Sequence, residues 1–217
     1  MEKMPQQTRI RYSVLRELIG NASDKTLLDI GAGYRPISEG VKTKKTIKLD
    51  GIKKFKPDIC ADINKGLPLK NDSVDIIVAG EIIEHIYNPI KFIRECNRVL
   101  RIGGELVLST PNICSLKNRF KVAFGQLPEY CAEPLEDESF ERHIIDFSFP
   151  RLIKILKENK FTIVKKDSNG IISHSKLLFP RFLTPPEFGE TIILKAKKTG
   201  KIKWELEEIT YLLSGGF

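Results

Sequence analysis

TLLDIGAG, residues 26–33, is the stretch on which the fold turns. Residues 26–30 are short and apolar on both faces, as befits a strand buried inside a parallel sheet. They run straight into Gly31 and Gly33, where the lack of a Cβ lets the backbone turn sharply and lets a ligand come close. Pro36 then suits the first turn of a helix, because its missing N–H has no partner there in any case. The stretch therefore predicts a strand, a ligand-binding turn and a helix.

Working outward, the same alternation continues. Residues 46–50 (TIKLD) and 58–61 predict the second and third strands, and residues 74–79 the fourth. Residues 89–100 predict a helix, with Ile90, Ile93, Cys96, Val99 and Leu100 at helical spacing, stopped by Gly103 and Gly104. Residues 105–109 read as the fifth strand, 150–159 as a helix, and 161–166 and 190–196 as two late strands that pair as a hairpin at the sheet edge. Residues 9–20 open the chain as an amphipathic helix. The fold class is α/β: a doubly wound, seven-stranded, mostly parallel sheet with a C-terminal antiparallel hairpin. One domain covers residues 1–217, with a cofactor half at about 9–110, acceptor-shaping segments at about 111–149 and 170–189, and a tail at 201–217.

Composition agrees with a globular chain: 217 residues, 41% hydrophobic and 29% charged. No segment approaches the roughly 20 apolar residues of a spanning helix, and residues 1–13 lack the apolar centre of a signal peptide, so a cytoplasmic protein is expected. Cys60, Cys96, Cys114 and Cys131 are too widely spaced for a zinc site and are expected to be free. The net charge of +8 is uneven. Residues 1–60 and 151–217 each hold 13 Lys and Arg against 7 Asp and Glu, whereas residues 61–150 hold 10 against 14. An anionic partner, if there is one, meets the terminal surfaces, and a solubilising lysine-rich surface explains the same numbers.

The turn itself restricts the ligand. A dinucleotide site wants a third glycine at position 36, which is Pro36, and no phosphate-binding lysine motif follows. Asp50, at the end of the second strand and 19 residues after Gly31, has the spacing at which a carboxylate accepts both ribose hydroxyls. Glycine turn and carboxylate together point to a nucleoside. Read singly, Asp29 equally fits a turn cap and Asp50 a strand-end turn residue.

Over residues 25–166 the chain resembles the class I S-adenosylmethionine-dependent methyltransferases, in particular the group similar to ubiquinone-biosynthesis O-methyltransferases. Four motifs in order carry the resemblance: LLDIGAG at 27–33, LPLKNDSVDIIV at 67–78, EIIEHI at 81–86 and RVLRIGG at 98–104. It implies S-adenosylmethionine as cofactor, with Asp29, Gly31 and Gly33 at its methionine end, Asp50 on the ribose, and Asp62 with the Ile63 backbone at the adenine. Glu81 would sit beside the methyl donor and the acceptor pocket. The group usually has glycine where this chain has Arg35; a guanidinium there either pairs with the methionine carboxylate or crowds the site.

Glu81, His85 and His143 are the candidates for an acid–base group, needed only if the acceptor is a hydroxyl or a protonated amine. His85 also fits a satisfied histidine at a helix start. Two glutamates and two histidines, Glu81, Glu84, His85 and His143, resemble the metal site of small-RNA 2′-O-methyltransferases, but Ile86 stands where that group has a second histidine. No obligatory metal site is expected. The leading reading is methyl transfer to a hydroxyl of a small-molecule, glycan or lipid-linked acceptor. Residues 177–183 read first as a loop packed on its own sheet, with a cover for a hydrophobic acceptor or peripheral membrane contact as the alternatives. An RNA 2′-O-methyltransferase and a non-catalytic cofactor-binding subunit are the alternatives. Nucleic acid is not favoured, since few aromatic residues accompany the basic ends.

Overall fold

A computed structural model describes residues 4–131, 142–173 and 176–202. The element order is α1 (Gln6–Ile19), β1 (Ala22–Ile30), β2 (Thr43–Asp50), β3 (Ile59–Cys60), β4 (Val74–Gly80), α2 (Pro89–Val99), β5 (Leu100–Pro111), α3 (Leu116–Ala123), α4 (Phe149–Glu158), β6 (Phe161–Asp167), β7 (Ile171–Ser173), β8 (Lys176–Phe179) and β9 (Thr191–Lys198). Seven strands form one sheet in the order β3-β2-β1-β4-β5-β9-β6, and β7 pairs with β8 separately. Neighbours from β3 to β5 are parallel, and β9 runs antiparallel to both β5 and β6. The expected seven-stranded, mostly parallel sheet with a late antiparallel pair is what forms.

The central strands are buried on both faces. Leu28, Ile30, Ile77 and Leu106 pack on the side of α2 and α4, while Leu27, Ile76, Val78 and Val107 pack on the side of α1 with Val14, Leu15 and Ile19. Side chains of successive strand residues alternate between faces, so an uninterrupted apolar run serves both layers. Local chemistry sets the helix starts. Asn88 and Ser148 accept the N–H groups of Lys91 and Arg151, and Pro89 and Pro150 sit in the first turns.

Two expectations need correction. No helix follows the glycine turn: Pro36 lies in a run of turns, closed by Gly40 at φ +83°. Only twelve residues join β1 to β2, and Asp29 draws the Ser38 N–H back to the sheet at 2.8 Å, which leaves no room for a regular helix. Second, Gly103 and Gly104 lie within β5, which begins at Leu100. A Cβ on Gly104 would lie 2.8 Å from the Arg101 carbonyl oxygen and 3.0 Å from that of Asp75, so only glycine lets the kinked strand run on. The two late strands, β6 and β9, pair antiparallel at the sheet edge as expected, with β9 lying between β5 and β6. The connection between them carries β7 and β8, and α3 rises in the segment after β5; neither was expected. The acidic stretch at 133–141 and nearly all of the tail at 201–217 lie outside the described residues. Cys60, Cys96, Cys114 and Cys131 are free thiols. Among the described residues, no helix is long and apolar enough to cross a membrane.

Candidate active site

Parallel register brings the carboxyl ends of β1, β2, β4 and β5 to one edge of the sheet, with Ile30 opposite Leu49 and Ala79, and Gly80 opposite Ser109. Ligands of open α/β sheets bind at such an edge. The turn after β1 is held by β2: the Leu49 carbonyl accepts from the N–H groups of Gly31 (2.8 Å) and Ala32 (3.3 Å). Gly31 has φ +69°, and the Ile82 side chain fills the place of its absent Cβ. The turn is thus closed from above by the loop after β4.

Asp50 is 8% exposed, and one of its oxygens reaches this turn while the other holds the loop after β2. Oδ2 accepts from the Gly33 N–H at 3.0 Å and Oδ1 from the Ile52 N–H at 2.9 Å. Asp29 is fully buried; one oxygen holds Ser38 and the other has no partner among the described residues, and burial raises its pKa above the ordinary carboxylate value. Its visible work is to tie down the turn. Arg35 lies in the same turn, and its carbonyl accepts the Tyr12 hydroxyl at 3.0 Å. Asp62 caps a short 3-10 turn through the Asn64 N–H, next to half-buried Ile63. Tyr34 packs edge-on against Phe55 at 4.4 Å, an aromatic pair beside this end of the cleft.

Glu81 adopts φ +56°, the left-handed region that non-glycine residues rarely occupy. Its N–H donates to the Ser109 carbonyl (3.0 Å), its Oε1 accepts the Ser109 hydroxyl (3.1 Å), and its Oε2 meets Arg11 Nη1 at 3.1 Å. Arg11 comes from α1, and its buried Nε has no partner among the described residues. A strained backbone fixed by three contacts, facing a cleft, is the pattern of a functional position.

Three residues on, Glu84 is 1% exposed and accepts the Thr110 hydroxyl on Oε2 at 2.9 Å, while Oε1 has no partner among the described residues. Burial, and then the negative charge of Glu81, push its pKa well above the ordinary value. The Glu84 carbonyl accepts the N–H groups of Ile144 and Ile145, at 2.8 and 3.2 Å, and Ile113 N–H binds the Phe147 carbonyl at 3.0 Å. This docking carries His143 to His85, with ring centroids 5.0 Å apart. His85 Nδ1 lies 2.7 Å from the Arg142 carbonyl and His143 Nδ1 lies 3.0 Å from that of Tyr130. A carbonyl only accepts, so each Nδ1 carries the hydrogen, and a neutral ring keeps its basic lone pair on Nε2.

Glu84, His85 and His143 each place one ligand atom within 4.8 Å of the others. Glu81, turned to Arg11 and Ser109, is not in that group, and Ile86 is buried in the core. The structure thus gathers Gly31, Gly33, Asp50 and Glu81 around the turn and brings His85 to His143, while Asp62 and Ile63 flank the β3 side. Arg11, Ser109 and Thr110 escaped the sequence reading. The two hydroxyls stood at the end of a predicted strand, where site residues collect, but nothing local marked Arg11.

Residues 28–108 match the model of a methyltransferase domain. A Mycobacterium tuberculosis protein named "Probable S-adenosylmethionine-dependent methyltransferase" is 52% identical over 46 residues, 21% of this chain and 17% of that protein. The ubiquinone biosynthesis O-methyltransferase of Nitrosomonas europaea is 25% identical over 119 residues, 48% of this chain and 51% of that one. The chain therefore spans between a sixth and a half of the length of these curated relatives. Across 88% of this chain and 90% of that one, the crystal structure of a Thermotoga maritima S-adenosylmethionine-dependent methyltransferase superposes with a TM-score of 0.64 at 17% identity. The cyclase SpnF has the same fold, with a TM-score of 0.59 at 15% identity over 88% of this chain and 82% of its own. One fold thus serves more than one reaction, and the reaction has to be argued from the site.

Proposed function

We propose that the chain carries a class I S-adenosylmethionine-dependent methyltransferase domain, similar to the ubiquinone-biosynthesis O-methyltransferases, and that it transfers a methyl group to a hydroxyl of a small-molecule, glycan or lipid-linked acceptor. The observation that carries the reading is the meeting, at one sheet edge, of the Gly31–Gly33 turn and Asp50 with Glu81 and the His85–His143 pair. The donor set fits the cofactor: open backbone at the turn, a carboxylate for the ribose hydroxyls, and a cation, Arg11, for the methionine carboxylate. Asp62 and Ile63 flank the adenine end, and Arg35 sits at the rim of the turn.

The cofactor supplies a methyl group on a sulfonium, whose departure needs no acid. The protein's contribution is to position the acceptor and exclude water. Glu81, fixed by Arg11 and Ser109, borders the transfer path, and Nε2 of His143 or His85 takes the hydroxyl proton. Acceptor specificity lies in the segments after β5 and around β7 and β8, with residues 177–183 offering an apolar edge to a lipid-linked acceptor.

A second reading has one observation in its favour: the convergence of Glu84, His85 and His143 fits a divalent cation, as in an RNA 2′-O-methyltransferase. We propose that no metal is obligatory, because Glu81 is held elsewhere and one Glu84 oxygen is taken by Thr110. Titration calorimetry with S-adenosylmethionine and S-adenosylhomocysteine in the presence of chelator tests cofactor binding, and silence at millimolar ligand would sink the proposal. A donor-dependent screen of metabolite, lipid and RNA pools then finds the acceptor. Activity abolished by chelator and restored by manganese, cobalt or magnesium would put the metal reading first.

A further inference from the structure

More than half of the large apolar side chains exposed among the described residues fall in two short stretches, 120–127 and 178–183. They are neighbours in space. A groove of about 430 Å³ runs between α3 and the β7–β8 pair, lined chiefly by Leu116, Phe120, Phe124, Ile171, Leu178 and Phe179. Phe124 is 78% exposed, and Phe182, just past β8, is 81% exposed. Isolated exposed apolar residues are ordinary, but a contiguous set of aromatic and leucine side chains marks an interaction surface.

Charge narrows the choice of partner. α3 carries Lys117, Arg119 and Lys121 in eight residues and no acid. Lys117 and Lys121 share a single carboxylate, Glu129, at 2.7 and 3.1 Å, which leaves the pair net positive. Arg119 lies over the Phe188 ring at 5.0 Å. Around the patch, Lys166 and Glu187 neutralise one another, and Arg181 is held by Asp167 and Glu17. A short basic helix with phenylalanines at its exposed face beside an apolar hairpin has the chemistry of an interfacial element: ammonium and guanidinium groups for lipid phosphates, rings for the acyl boundary. A second copy of the same surface would instead set these cations against one another.

We propose that the face formed by α3, β7, β8 and residues 180–183 docks on the surface of an anionic lipid bilayer. The patch is braced for such a task. Arg181 ties its base to β6 and α1, and Asn118 on α3 accepts the Glu129 N–H at 2.8 Å and donates to the carbonyls of Asn112 and Glu129. The next residue, Tyr130, holds His143 through its carbonyl. One loop therefore walls both the docking face and the candidate site, and a docked molecule would hold the site close to the membrane. The proposal does not depend on the methyl-transfer reading, and its test uses no activity.

The test is co-sedimentation of the full chain with vesicles of phosphatidylcholine alone or mixed with phosphatidylglycerol. Binding is expected only with the anionic lipid and should weaken as salt rises. Phe124→Ser combined with Phe182→Ser should lower the partition coefficient about tenfold or more, since two rings are kept from the acyl boundary. Both side chains are exposed, so thermal melting should be unchanged. As a second readout, Phe182→Trp in a Trp204→Phe background should show a blue shift of its tryptophan emission and quenching by brominated lipid. The proposal is overturned by absence of binding to anionic vesicles, by equal binding of the double variant, by a tryptophan emission that vesicles do not move, or by a concentration-dependent dimer that the same two serine substitutions abolish.

Discussion

The turn after β1 and the histidine pair beside Glu84 lie at the same end of the sheet, yet they are assembled by different means. The turn is held by backbone groups of adjacent parallel strands: Leu49 accepts from Gly31 and Ala32, Asp50 from Gly33, and Asp29 from Ser38. The histidines come from chain segments 58 residues apart and meet only because residues 144 and 145 donate to the Glu84 carbonyl. One site half follows from strand order, whereas the other depends on how a long excursion docks. The first half should therefore control cofactor binding and the second half turnover.

The sharpest break would come from His143→Ala. Turnover should fall by about a hundredfold to ten-thousandfold, the usual contribution of a positioned base, while the cofactor dissociation constant stays the same. Calorimetry beside steady-state kinetics checks this; a parallel loss of cofactor affinity would erase the division between the halves.

Gly31→Ala attacks the other half. A Cβ there meets Ile82 at a backbone conformation that alanine dislikes, so a loss of about 1–3 kcal/mol in stability is expected, with weaker cofactor binding. Adding Ile82→Ala should recover only part of it, because it relieves the clash and leaves the positive φ. Full recovery in chemical denaturation would show that space alone demands glycine.

Asp50→Ala should weaken cofactor binding by about 1–3 kcal/mol, the value of a charge-assisted acceptor, in a protein that still folds. Asp50→Asn separates two functions, since one amide oxygen can still serve the turn while the charge is gone. Unchanged affinity in both variants would reduce Asp50 to a turn residue.

The smallest effect concerns pH. Glu84 has a folded pKa above its ordinary value of 4.5, mainly through burial, so the unfolded chain gives up its proton first. The stability tied to that bound proton is fully present below about that ordinary value and is lost as pH rises above it until the folded group ionises. Glu84→Gln should flatten that part of the stability profile, as read from urea denaturation across a pH series. A profile unchanged by the substitution would show that Glu84 is already ionised in the folded protein.

The turn and carboxylate of the candidate site were legible because their determinants are local. A strand buried on both faces must be apolar throughout, a turn with positive φ favours glycine, and a carboxylate at the next strand end keeps a fixed distance from it. The helix anticipated after Pro36 failed for a reason that the pattern does not carry: Asp29, itself part of the motif, uses its carboxylate to fold that segment back. The early start of β5 was hidden because two glycines read as a stop, although a kinked strand packed tightly against its neighbours requires glycine just as strongly. Arg11 was invisible because a cation on an amphipathic helix looks the same whether it faces water or a cleft.

Sequence alone determined the succession of the seven sheet strands, the glycine turn, Asp50 and the family resemblance, since each rests on residue type and spacing over a few tens of residues. Only the tertiary structure decided that Arg11 and Ser109 clamp Glu81, that Glu84 is buried with one oxygen unpartnered among the described residues, and that His85 meets His143. It also decided that the apolar residues of α3 and the β7–β8 pair form one face. These are contacts between segments far apart in the chain. Their existence depends on how loops dock on the finished sheet, and that free energy is set by packing and hydrogen bonding between distant groups, which no local pattern records.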